Sequence, residues 1–137
     1  MSVWPNAAPT TLAGRDGDLV SVSIHAEPRS LELLLEALAR VSFPINPEIY
    51  HDAALVYRFA DGREETESTT LVEFPAYAGQ LDEVRRCLQA NGINPASLYV
   101  TGMWDAIHVD CAPEPPAPDA GYVARYRIKH RAVAAAR

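Results

Sequence analysis

Residues 48–74 read EIYHDAALVYRFADGREETESTTLVEF, and this stretch decides the fold. Asp61-Gly62 at its centre is a strong hairpin signal, because Gly takes up a left-handed turn position without steric cost. A two-residue turn there places Arg58 opposite Glu65, Ile49 opposite Phe74 and His51 opposite Val72. Facing opposite charges support that pairing. On this register Ala53, Leu55, Tyr57, Phe59, Val72 and Phe74 share one face, with His51 on the same side. Tyr50, Asp52, Leu71 and Glu73 take the other. Turn chemistry and apolar alternation agree, and together they predict two long antiparallel strands.

Working outward, Leu19–Ala26 (LVSVSIHA) alternates Val20, Val22 and Ile24 with Ser21, Ser23 and His25, the period of a half-buried strand. Pro28 then opens a helix, where a missing N–H costs nothing. Leu31, Leu34, Leu35, Leu38 and Val41 form its apolar stripe. Beyond the hairpin, Leu81, Val84 and Leu88 recur at helical spacing. Asp82 and Glu83 sit in the favoured first turn and Asn91-Gly92 marks the end. Ser97–Trp104 (SLYVTGMW) reads as a fourth strand. The order β-α-β-β-α-β predicts a ferredoxin-like α+β sandwich, an antiparallel sheet with two helices on one face, in spatial order fourth, first, third, second. Tyr122–Lys129 (YVARYRIK) alternates again and predicts an extra C-terminal strand. The chain therefore divides into a flexible N-terminal arm (1–17), the ferredoxin-like domain (18–108), a Pro-rich linker (109–121) and a C-terminal strand and tail (122–137).

Composition narrows the function. A chain of 137 residues is the size of one domain. Its net charge of −6 disfavours nucleic acid, whose phosphates demand clustered Lys and Arg. The charge is uneven: the first 120 residues hold all 18 acids and 7 bases, whereas the last 17 hold five bases and no acid. Such a tail docks most simply on its own acidic body or on a second copy. No apolar run approaches the ~20 residues of a membrane span. MSVWPNAAP lacks the pattern of a secretory signal, so a cytoplasmic protein is expected. Cys87 lies in a helical pattern as a core filler, and Cys111 opens the proline-rich segment. Neither has the spacing of a metal site. The four histidines are scattered, so no metal is expected. No phosphate cradle, dinucleotide fingerprint or hydrolase elbow is present, so no cofactor is expected and catalysis is not favoured.

If Val20, Val22 and Ile24 face the helices, then Ser21, Ser23 and His25 point to the open side of the sheet, together with Tyr50, Glu73, Leu71 and Tyr99. With the first and third strands adjacent and parallel, His25 and Glu73 would lie at the same end. The carboxylate would raise the pKa of the imidazole, and the pair could shuttle a proton beside Tyr99. The mixed apolar patch on that face also predicts a homodimer, with the C-terminal strand covering part of it.

The segment His25-Ala26-Glu27-Pro28-Arg29-Ser30-Leu31, followed by LLLEALARVSFPI, resembles the start of ACT regulatory domains, where an acidic residue, a Pro and a Gly precede a Leu-rich helix. The Gly position is taken here by Arg29 or Ser30. The resemblance implies a dimeric module binding an amino acid or similar small molecule, with Glu27, Arg29, Ser30 and Leu31 at the site. Two other readings stand beside it. One is a small enzyme of the dimeric α+β barrel kind using His25 with Glu73, and the other a structural assembly subunit. A ligand module requires a pocket near Glu27–Leu31, an enzyme a closed cavity against the sheet holding His25, and an assembly subunit neither.

Overall fold

The computed structural model describes residues 13–14, 17–108 and 113–129. In chain order these form β1 (Ala13–Gly14), β2 (Gly17–Ala26), α1 (Leu31–Leu38), β3 (Glu48–Arg58), β4 (Glu64–Tyr77), α2 (Leu81–Ala90), β5 (Leu98–Gly102), α3 (Met103–His108) and β6 (Ala124–Ile128). The architecture is α+β. Every strand pair is antiparallel, and the long strands lie in the order β5-β2-β4-β3-β6, with β1 paired to the start of β2. For the four strands read from the sequence this is the order fourth, first, third, second, consistent with a ferredoxin-like fold.

The helix-covered face is built as the apolar spacing predicts. Leu34, Ala37 and Leu38 of α1 and Leu81, Val84 and Leu88 of α2 pack against Val20, Val22, Ile24, Val72, Phe74, Ala76 and Leu98 from three strands. Both helices therefore cover one side of the sheet. Leu31 and Val41 extend this core at its margin, and Cys87 is half-buried beside it. Cys111 and His130 lie outside the described residues.

The hairpin forms where Asp61-Gly62 places it, but in another register. Its loop has three residues: Phe59 N–H donates to the Arg63 carbonyl at 2.9 Å, enclosing Ala60, Asp61 and Gly62. Gly62 takes φ +89°, the left-handed position that closes a three-residue loop. Arg58 consequently pairs with Glu64, not Glu65, and its guanidinium meets the Glu64 carboxylate at 2.9 Å. A second irregularity follows. Tyr50 pairs with Leu71 but Ala53 with Thr69, so β3 carries one extra residue at His51–Asp52. Ahead of this bulge Ile49 meets Val72 on the helix side. Beyond it the alternation flips, so Ala53, Leu55 and Tyr57 face the side opposite Val72 and Phe74. His51, expected to point toward the helices, is exposed on the bulge.

Two further expectations change. The fourth strand ends at Gly102, and Met103 and Trp104 begin α3 instead of continuing it. The face opposite the helices is not bare either. Ala53, Leu55 and Leu71 are buried there, outside the helix-side core. β6 pairs with β3 of the same chain, Leu55 opposite Arg127. In a flat sheet β6 and β2 would stand roughly 14 Å apart, three strand spacings. The Arg127 guanidinium nevertheless reaches Ser23 of β2 at 3.2 Å. The sheet is thus curled, and this face is concave, closed by β6 as a strap.

Candidate functional site

The first pocket of interest lies where β2 gives way to α1. Glu27 is extended (φ −65°, ψ 146°), as the residue before a proline must be, and Pro28–Ser30 makes one tight turn before the helix. The far wall comes from the other half of the fold. Gly92, at φ +78°, reverses the chain after α2, and Asn94 holds the next turn by accepting the Ala96 N–H at 3.0 Å. Between these walls is a cavity of about 300 Å³ lined by His25, Ala26, Glu27, Ser30, Leu33, Leu34, Gly92, Ile93, Asn94 and Ser97. Its surface is mostly apolar, with a few convergent polar groups. Leu33 stands 42 % exposed at the rim, a large apolar side chain facing solvent.

Of the four residues assigned here from the sequence, Glu27 and Ser30 line the cavity. Arg29 does not: its Nε is drawn 3.0 Å from the Glu27 carboxylate on the exposed side. Leu31 packs against the helix-side core.

The concave face holds the other candidates, and it does not join them as expected. His25 sits opposite Leu71, while Glu73 sits opposite Ser23, because β2 and β4 run antiparallel. The two side chains share a face but stand two residues apart in register, and Glu73 is bound by Lys129 of β6 at 2.9 Å. The imidazole accordingly shifts the other way, down to about 4. Burial disfavours its charged form, and the Arg127 and Arg125 guanidiniums repel it. Only the hydrogen bond to the Ser97 backbone opposes this. His25 is therefore neutral, its Nδ1 buried and without a hydrogen-bond partner among the described residues. Tyr99 lies under the Arg127 guanidinium, 5.6 Å from its ring centre, and burial raises its phenol above the usual range.

What the sequence reading missed is the centre of this face. Glu114, 3 % exposed, sits between two guanidiniums: Arg125 Nη2 at 3.0 Å and Arg127 Nε. Backbone bonds between Glu114 and Arg125 fix the pairing. Glu114 is the single acid among the prolines of residues 113–118, and the described part of that linker is a built segment as well as a spacer. The alternating Arg125, Arg127 and Lys129 were the visible half of this signal. Beside them a smaller pocket of about 70 Å³ is lined by Ser21, Ser23, Glu73, Tyr99, Thr101 and the strap residues Glu114, Arg127 and Lys129. His25 does not line it. Among the described residues no three His, Cys, Asp or Glu side chains come together to hold a metal ion, and no helix is long and apolar enough to cross a membrane.

No protein-family model matches the chain, and no curated protein matches it. Among solved structures, the chain is similar to that titled the Bacillus subtilis GlnK–ATP complex, with a TM-score of 0.44 and 9 % identity, covering 77 % of this chain and 94 % of that one.

Proposed function

We propose that this chain is a small-ligand-binding regulatory module of ACT-like type, taking an amino acid or a molecule of similar size between β2 and α1. One observation carries the reading: the described residues hold a cavity at the strand–helix junction to which the ACT resemblance assigns the ligand, and Glu27 and Ser30 line it. Its volume of about 300 Å³ lies at the lower end of small-molecule sites. Ala26, Leu33, Leu34 and Ile93 suit an apolar side chain, while Glu27, Ser30, Asn94 and Ser97 offer acceptors for an ammonium group. The enzyme reading is supported less. It needs His25 held by a carboxylate, and Glu73 is engaged by Lys129. In this reading residues 18–108 are the binding module, 109–121 the linker and 122–137 the strand and tail, and two copies form a homodimer in the cytoplasm.

The test is a titration of ¹⁵N-labelled protein with L-leucine, L-phenylalanine and L-serine. Amide shifts centred on Ala26, Ser30, Ile93 and Asn94 are expected, larger for the apolar amino acids and lost in Leu33→Asp. Because Leu33 is exposed, that substitution spares the fold. Absence of shifts, or shifts centred on the concave face, removes the proposal. Light scattering at twice the monomer mass is expected for the homodimer.

A further inference from the structure

The polar network on the concave face reaches through the sheet edge to the wall of the junction pocket. Arg127 of β6 uses three of its nitrogens on three different segments. Nε donates to Glu114. Nη1 donates to the Ser23 carbonyl at 3.3 Å and the Ser23 hydroxyl at 3.2 Å. Nη2 donates to the Ser97 carbonyl at 3.3 Å. Ser97 also lines the junction pocket, together with His25, whose charged form its backbone favours. The Asn94–Ser97 turn is internally stiff: the Asn94 carbonyl accepts the Ser97 amide at 3.0 Å and its hydroxyl at 2.8 Å. One side of the pocket is therefore a rigid turn whose carbonyl end is held by a guanidinium some 30 residues further along the chain.

We infer that Arg127 is a positioning residue for the junction pocket, and that docking of β6 and occupancy of the pocket stabilise one another. The second half rests on the function proposed above; the first does not. The planar guanidinium fork serves three acceptors at fixed angles, which a lysine cannot reproduce. β6 is suited to the role. It has five residues and pairs with β3 along one edge, while among the described residues its other edge is joined by the single Glu114–Arg125 bridge. A short edge strand opens at lower free energy than the core unfolds. If a ligand binds better when Ser97 and His25 are fixed, it must by reciprocity hold β6 closed.

Amide hydrogen exchange on the full chain tests this. In Arg127→Met, which keeps the stem but removes the fork, the amides of His25, Ala26 and Leu98 should exchange about tenfold faster, along with those of β6. Those of Val84 and Leu88 in α2 should be unchanged. Arg127→Lys should fall between Met and wild type, and it serves as the reporter if the Met variant does not fold. Acceleration confined to β6, or uniform acceleration that includes Val84 and Leu88, overturns the positioning role. With saturating L-leucine the wild-type amides of Arg125 and Arg127 should become more protected. If leucine shifts the pocket resonances but leaves β6 exchange unchanged, the coupling falls while the binding function stands. If leucine shifts nothing, the binding function and the coupling fall together, and the apo comparison still decides the positioning role.

Discussion

The two faces of one sheet are held by different physics. The helix-covered face is closed by side chains whose spacing is local: Leu34, Ala37 and Leu38 within α1, and Leu81, Val84 and Leu88 within α2, all buried on Val22, Ile24 and Val72. The strap-covered face is closed by groups distant in sequence, with Arg127, Glu114 and Ser23 meeting in the interior. Apolar burial is non-directional and tolerates small errors of register. A buried ion network does not, since each member left unpaired keeps the cost of its desolvation. The first face supplies stability, and the second fixes one arrangement of the C-terminal strand.

The sharpest way to break the contrast is to remove one partner on the polar face. Glu114→Ala leaves Arg125 and Arg127 without their carboxylate and should cost about 3–5 kcal/mol in urea unfolding. Replacing Glu114 and Arg127 together by apolar residues should recover much of that loss. If the single substitution costs under 1 kcal/mol, the network is not holding the strap. On the helix face, Leu34→Ala should cost about 2–4 kcal/mol by transfer and cavity terms, with no corresponding rescue partner.

Acid should separate the faces too. His25 titrates at about 4 in the folded chain against 6.5 in the unfolded one. Between those values the unfolded chain binds more protons, so this contribution is complete above pH 6.5 and is lost as the pH falls toward 4. Its full size is about 3 kcal/mol. Urea unfolding of wild type and His25→Leu, measured at pH 7, 5.5 and 4, should show wild type losing stability relative to the variant as the pH falls, by up to about 3 kcal/mol. Parallel pH profiles for the two proteins would show that His25 is not buried beside the guanidiniums. The smallest effect belongs to the loop that sets the hairpin register. Gly62→Ala, at φ +89°, should cost about 1 kcal/mol. A nuclear Overhauser contact between the α-protons of Arg58 and Glu64, with none between Arg58 and Glu65, checks the register directly.

Much of this molecule was written in short-range pattern. Period-two and helical spacing marked the four strands, both helices and the helix-side core, because each residue's face is fixed by the geometry of its own element. Asp61-Gly62 located the hairpin, and the Glu27–Ser30 segment located the pocket rim. Three features needed the tertiary structure. The bulge at His51–Asp52 moved Leu55 and Tyr57 to the other face, since one inserted residue reverses every later side chain and leaves no mark in composition. The docking of β6 along β3 gave Glu73 to Lys129 and not to His25, because where an added strand pairs follows from the whole sheet. The antiparallel pairing that sets His25 against Leu71 was already contained in the expected antiparallel sheet. The curl of that sheet brought Arg127 to Ser23 and Ser97, 104 and 30 positions away in the chain, and no local pattern records a contact made only when the ends of the sheet approach.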